Sequence, residues 1–422
     1  MKIAVIGGGS SYTPELMKGL FDISDSIELE EVYLHDIEKS RKRLDIISRF
    51  VKRMRDDTLK NLTIKSGLSF EAAIKDSDFI IFQFRPGMLQ GRLKDETIPL
   101  KYGLIGQETT GVGGFAAALR AFPVIEGYIN KIRKISPDAT VVNFTNPSGH
   151  ITEFARNYLG FENFIGLCNV PINLLNELSE KFGDTPDCYT LKYYGLNHLS
   201  FIEKVLKNNT NITEIVLKQY FQEMANIKGA SFPSWLVDAI DLLMNPYMQY
   251  YLMTETMYKK IKNEVPRAKQ VMKIEKELFK EYKKANSSQL PGLLSQRGGS
   301  RYSQAAAYLI KTLVIKDDKT HIVNIPNNCS IKNLPSDYIM EVPAKFQNGK
   351  FASVSQGKGR DFPLSWVTNI KHFERLTINA YLQQSKNHAI QALLIHPLGP
   401  LAENVSNLLN EIIRDNQIDF LQ

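Results

Sequence analysis

Three cysteines in 422 residues, Cys168, Cys188 and Cys329, make no disulfide framework. No basic, apolar, small-residue leader stands before the first apolar run, and no uninterrupted apolar stretch of about 18 residues offers a bilayer span. The expectation is a cytoplasmic protein with reduced thiols and no membrane partner. Internal repeats and low-complexity segments are also missing. Lys and Arg outnumber Asp and Glu by 52 to 45, for a net charge of +7, yet no basic cluster with interleaved aromatics accompanies the excess. Arg41, Lys42 and Arg43 read as the solvated face of a helix. A nucleic-acid partner is therefore disfavoured, while an anionic small substrate suits the charge.

A chain this long, with 43% hydrophobic residues, implies roughly two domains and a sizeable core. Apolar runs of strand length recur at KIAVIG, VYLHD, DFIIFQF, TVVNFT and FIGLCN. Between them lie patterns of helical period such as FAAALRAFPVIEGYINKI and PINLLNELSEKF, an alternation that predicts crossovers and a parallel sheet. The pattern changes near residue 185, where LKYYGLNHLSFIEKVL reads as a strand or a hairpin and HIVNIP and YIMEVP as short strands. The fold class expected is α/β: a Rossmann-like doubly wound domain over 1–184 and an α+β domain over 185–422. LAENVSNLLNEIIRDN near the end is an amphipathic helix.

GGGSSYTP, residues 7–14, follows the first strand run and resembles a dinucleotide loop with its third glycine replaced by Tyr12. In such loops the first glycine makes a tight turn, the second admits a pyrophosphate and the third lets the helix pack on the strand. Only the third role is lost. Pro14 suits a first helical turn. Asp36 ends the second strand run 27 residues after Gly9, against an ideal of about 20, and can bind a ribose diol. Gly7, Gly8, Gly9, Ser10 and Asp36 are thus candidate contacts for NAD. Asp36 disfavours the phosphate of NADP, although Lys39 and Arg41 stand nearby.

In parallel sheets of this kind ligands sit beyond the carboxyl ends of the strands. FRPGMLQGR with Arg85 and Arg92, TNPSG with Asn146, CNVP with Cys168 and Asn169, and GLNHLSF with Asn197 and His198 all fall there. Cys168 alone reads as a buried small hydrophobe and His198 as a core residue. Together, beside strand ends, they suit a divalent transition metal that must also hold a substrate. A Cys–His nucleophilic pair is the rival reading. Tyr247, Tyr250 and Tyr251 in PYMQYY read either as core or as a source of one base, which needs a pKa well below about 10 and so a nearby cation, Arg267 or a metal. Arg92 and Arg267 are either surface residues or a forked clamp on a phosphate.

GGGSSYTPEL, FRPGMLQGRLKDE, IPLKYGLIGQETTGVGG, NFTNPSG, CNVP, GLNHLSF, PYMQYY, PRAKQVM and RGGSRYS stand in the order found in the family 4 glycoside hydrolases. The resemblance runs from residue 1 to about 345. CNVP is similar to the version in the 6-phospho-β-glucosidase branch, and the tyrosine in place of the third glycine is shared by the family.

The resemblance implies NAD and a divalent metal, by family habit Mn²⁺, and a route unlike the usual pair of carboxylates. Hydride leaves carbon 3 of the sugar for NAD, a base takes the proton on carbon 2, the aglycone is eliminated from carbon 1, water adds, and hydride returns. Carried over by position, Cys168 and His198 match the metal ligands and Tyr247 the carbon 2 base. Arg92 and Arg267 match arginines near the substrate phosphate, Asn146 and Asn169 sugar contacts, and Gly7 to Gly9 the cofactor turn. Asn169 has no proton to give, which leaves the leaving-group acid unassigned. The implied substrate is a phosphorylated disaccharide such as cellobiose 6-phosphate, or an aryl 6-phospho-β-glucoside, acted on by a homodimer or homotetramer. Alternatives are the α-linked branch, a net NAD-dependent dehydrogenase and a non-catalytic NAD sensor.

Overall fold

In the computed structural model, which describes residues 1–55, 59, 61–220, 232–298 and 301–421, Ile3, Ala4, Val5 and Ile6 are buried. Strand β1 (Lys2–Ile6) is therefore covered on both faces, the condition that a continuous apolar run meets. Each such aliphatic side chain, fully buried, contributes about 1.5–3 kcal/mol. β1 lies between β2 (Glu31–His35) and β4 (Phe79–Phe82), all parallel. β3 (Thr63–Gly67), β5 (Thr140–Asn143) and β6 (Phe164–Gly166) extend the parallel set to the order β3-β2-β1-β4-β5-β6. This is the strand order of dinucleotide-binding folds, with the reversal of order between β1 and β4.

The sheet then continues without a break into antiparallel strands. β7 (Tyr189–Leu196) and β8 (Leu199–Lys207) form a hairpin, the second of the two readings the sequence allows. β9 (Thr210–Asn211) pairs with β8, and so does β10 (Leu243–Met244). β11 (His321–Pro326) joins β6 to β12 (Ile339–Gln347), which also pairs with β7 and with β13 (Lys350–Ser353).

Helices cover the sheet. Thr13–Ile23 starts with Pro14 in its first turn, as expected. Gly111–Ile135 is, by length and composition, apolar enough to cross a membrane, a property that no uninterrupted run in the sequence displays because Arg120 and Glu126 divide it. It is instead a core helix, with 67% of its most apolar window buried inside the protein. The helix Ala402–Asn416 buries Val405, Leu408, Leu409, Ile412 and Ile413 against this same chain.

One surface expectation fails. Arg43, in the helix Arg41–Met54, does not lie on a solvated face. Its guanidinium turns inward to Glu275 at 3.0 Å and to the carbonyl of Gly9 at 3.3 Å, because the helix Arg267–Lys283 packs there and supplies the carboxylate.

Candidate active site

A cavity of about 750 Å³ opens at the carboxyl ends of β1, β2 and β4, lined by Gly7, Gly9, Asp36, Asn146, Arg297 and Tyr302 among others. Its floor is the glycine turn. The N–H groups of Gly7 and Gly8 donate to the carbonyl of His35 at 2.9 and 2.7 Å, and Gly7 has φ +93°. A Cβ at Gly7 would lie 2.7 Å from the carbonyl oxygen of Gln83, so both the conformation and the space require glycine. A Cβ at Gly9 would meet Asp36 Oδ2 at 2.8 Å. That oxygen accepts the Gly9 N–H at 2.8 Å while Oδ1 accepts the Ile37 N–H, also at 2.8 Å. Asp36 thus holds the loop and the second strand end together, with carboxylate lone pairs left over. Ser10 Oγ accepts the Tyr12 N–H at 3.2 Å. Tyr12 is buried where a third glycine would stand, and its ring lies 5.1 Å from the Arg297 guanidinium. The turn, the acidic strand end and the volume fit a dinucleotide.

Cys168 and His198 meet through Asn197. Cys168 is buried just before the helix Val170–Phe182, where the Val170 N–H reaches its sulfur at 3.4 Å. Burial first, then the charge of Glu341, pushes the thiol well above its usual range; hydrogen bonds from the Asn169 and Val170 backbone and the Asn197 side chain pull it down. The Asn197 amide also donates to Glu341 Oε1 at 3.2 Å, and burial pushes that carboxyl up to about 7. Proton loss from Cys168 therefore calls for a cation.

His198 occupies the turn between β7 and β8 with φ +63°, a left-handed conformation uncommon outside glycine. Burial lowers its pKa to about 4, so the imidazole is neutral and able to ligate. Its Nδ1 lies 2.9 Å from the hydroxyl of Thr109. Among the described residues no cluster of three or more His, Cys, Asp or Glu side chains is placed to hold a metal. The candidate donors are one sulfur and one imidazole, a set that would leave open positions for substrate oxygens.

The three tyrosines separate. Tyr247 stacks on His198, Tyr250 meets Tyr247 edge-on at 5.9 Å, and Tyr251 turns away to Trp366 at 5.5 Å and His396 at 5.8 Å. Burial, then Tyr250, Glu108 and Cys168, pushes Tyr247 well above its usual range. Arg92 is a cation in electrostatic reach, since the charge of Tyr247 helps to raise the Arg92 pKa.

Arg92 bonds Glu96 at 2.6 Å and pairs with Glu108 at 2.9 Å; Arg85 pairs with Glu108 as well. Glu96 in turn accepts the Ala268 N–H at 2.8 Å, at the start of the helix that begins with Arg267. Arg267 donates to the Gln296 carbonyl at 2.7 Å and to Gln270 at 3.1 Å. After burial, the charge of Arg92 is the next cause that lowers the Arg267 pKa, so two guanidiniums are held close enough to repel. Such an arrangement favours an anion between them. Asn146 lines the cavity and bonds the hydroxyl of Tyr302, and Asn169 stands at the N-terminal boundary of the helix Val170–Phe182 without a side-chain capping bond.

Arg43, Glu275, Arg297, Glu108 and Thr109 are parts of the site that spacing alone leaves unmarked. The last two lie within GQETTGVGG, and Arg297 opens RGGSRYS, whose Gly299 and Ser300 lie outside the described residues.

The model of family 4 glycosyl hydrolases matches residues 2–183, and the model of that family's C-terminal domain matches residues 193–399. The chain is 54% identical to the 6-phospho-beta-glucosidase BglT of Thermotoga maritima, with 99% of each chain covered. A structure of the 6-phospho-beta glucosidase from Thermotoga maritima with manganese, NAD+ and glucose-6-phosphate matches with a TM-score of 0.94 at 53% identity, covering 99% of this chain and 98% of that one. Lactate dehydrogenase from Eimeria maxima, at 13% identity and a TM-score of 0.54 over 91% of this chain and 97% of its own, shares the fold alone. The chain belongs to family 4 of the glycosyl hydrolases.

Proposed function

We propose that this chain is a 6-phospho-β-glucosidase that works with NAD and Mn²⁺. The observation that carries this reading is the 54% identity, over 99% of both chains, to a 6-phospho-β-glucosidase. Residues 1–184 are the NAD-binding half, and residues 185–422 bring substrate, metal and subunit contacts. Gly7, Gly8, Gly9, Ser10 and Asp36 hold the cofactor; Cys168 and His198 hold the metal. NAD supplies reversible hydride exchange at the sugar, and Mn²⁺ supplies polarisation of a sugar oxygen.

The protein's own groups do the rest. Arg92 and Arg267 take the 6-phosphate of a phosphorylated disaccharide such as cellobiose 6-phosphate, or of an aryl 6-phospho-β-glucoside. Asn146 and Asn169 orient the ring. Tyr247 accepts the carbon 2 proton, and the neighbouring Arg92 charge favours its phenolate. A sugar leaving group must draw its proton from water or from another residue, since Asn169 has none to give. The need for NAD and for a reduced Cys168 suits the cytoplasm, and the working form is a homodimer or homotetramer.

The test is hydrolysis of p-nitrophenyl β-glucoside 6-phosphate by metal-stripped, reduced protein, with Mn²⁺ and NAD added separately and together. Release that needs both additions, prefers this substrate over the unphosphorylated glucoside and the α-anomer, and accumulates no NADH is the expected result. Preference for the α-anomer would reassign the branch. Steady NADH accumulation without phenol release would make the protein a net dehydrogenase.

A further inference from the structure

The loop before the helix Gly111–Ile135 brings Gln107 and Thr109 against His198. The Thr109 hydroxyl lies 2.9 Å from His198 Nδ1 and 2.9 Å from Gln107 Oε1. The backbone N–H of Thr109 donates to the same Oε1 at 2.6 Å. Were the Gln107 amide turned over, its NH₂ would face that N–H donor to donor, so the Oε1 position is set by the backbone. A carbonyl oxygen only accepts, and a hydroxyl has one proton. That proton must lie between Thr109 Oγ1 and Gln107 Oε1. The lone pairs of Oγ1 are then what His198 meets, so Nδ1 has to be the donor.

We infer that Gln107 and Thr109 form a positioning relay which holds the ring proton of His198 on Nδ1 and leaves Nε2 as the lone pair offered to the metal. The inference rests on the reading of His198 as a metal ligand. The His198 hydrogen bond to Thr109 is made at Nδ1, so it does not occupy Nε2. Tyr247, stacked parallel to the ring, fixes its plane, and the relay fixes which nitrogen carries the proton. Neither Gln107 nor Thr109 touches the reacting atoms. Outer partners of this kind orient a metal-binding imidazole, and their loss costs about tenfold to a hundredfold in metal affinity.

The experiment is a Mn²⁺ titration of the metal-stripped full chain with NAD present, reading free Mn²⁺ by electron paramagnetic resonance. Imidazole ¹⁵N shifts of the metal-free protein are recorded alongside, with the His198 signals assigned by their disappearance in His198→Asn. Thr109→Val is expected to weaken Mn²⁺ by about tenfold to a hundredfold, with NAD affinity unchanged, and Thr109→Ser to restore it. Gln107→Leu removes the acceptor, lets the Thr109 hydroxyl donate to Nδ1 and is expected to shift the proton to Nε2 in the ¹⁵N spectrum. Wild-type Mn²⁺ affinity and an unchanged Nδ1–H signal in both Thr109→Val and Gln107→Leu would overturn the relay. If His198→Asn and Cys168→Ser also bound Mn²⁺ like wild type, the ligand reading itself would fall; if they lost it, the relay alone would.

Discussion

The imidazole of His198 lies flat on the phenol ring of Tyr247, with ring centroids 3.9 Å apart and planes 2° from parallel. The proposed metal ligand and the proposed base are thereby held face to face. The stack uses the ring of Tyr247, and the proposed chemistry its hydroxyl.

Tyr247→Phe separates the two. It keeps the stacked ring and is expected to leave Mn²⁺ and NAD affinity close to wild type while kcat falls by about 10²–10⁴-fold, the range for a positioned base. Tyr250→Phe removes a hydroxyl from the edge-on neighbour and is expected to cost less than about tenfold, since it would not touch the proton in flight. The reverse order, with the larger loss in Tyr250→Phe, would move the base from Tyr247 to Tyr250.

Arg267→Gln tests the phosphate clamp more cleanly than any change at Arg92. Arg92 is largely buried between Glu96 and Glu108, and removing it would take the cation from Glu96 and leave Glu108 with Arg85 alone, at a cost of several kcal/mol in folding. Arg267 is half-buried and bonded to a backbone carbonyl, so its loss is tolerable. A charge-assisted contact of about 1.5–3 kcal/mol converts to about a tenfold to hundredfold rise in KM for the 6-phosphorylated substrate. Steady-state kinetics on the phosphorylated and unphosphorylated glucosides decide the matter; an equal effect on both would remove Arg267 from the clamp.

What could be read in advance followed from local rules. β1, β4, β5 and β6 announce themselves because a strand covered on both faces must be apolar throughout, and the β7–β8 hairpin because its runs flank one short turn. β3 stays hidden, since Thr63, Lys65 and Ser66 at the sheet edge face solvent and only Ile64 is buried. Cys168 and His198 stand out as candidates by type and by position after strand ends. The contacts that tune them do not. Thr109 reaches His198 across 89 positions and Arg43 reaches Glu275 across 232, and no spacing rule records which distant segment a folded sheet brings alongside.

Asp36→Ala is expected to weaken NAD at least tenfold and to narrow its preference over NADP. The carboxylate holds the Gly9 and Ile37 N–H groups at 2.8 Å each, so its removal loosens the loop as well as the ribose contact. It also deletes the charge that would repel a 2′-phosphate, while Lys39 and Arg43 remain in the cavity wall. Fluorescence titration with both cofactors measures the ratio. An unchanged NAD to NADP ratio would assign Asp36 to loop structure alone.

Stability should fall as the solution is acidified through the histidine range. Burial holds His396 down to about 3, and burial together with the Lys371 and His396 charges holds His150 down to about 3, whereas an unfolded histidine titrates near 6.5. Between these values the unfolded chain binds protons that the folded chain refuses. The stabilisation is therefore complete above about pH 6.5 and is lost progressively as pH drops toward 3. Each such proton gives a slope of about 1.4 kcal/mol per pH unit within that window. His396 Nδ1 accepts the Leu398 N–H at 2.9 Å, and its ring meets Phe373 at 4.4 Å. His396→Asn keeps an acceptor for that N–H but cannot take up the proton. Urea unfolding at a series of pH values from 7 to 5 should show the variant less stable at pH 7, through lost packing, and its stability falling less steeply with acid by about one proton. Parallel slopes in variant and wild type would mean that His396 titrates in the folded protein as it does in the unfolded chain.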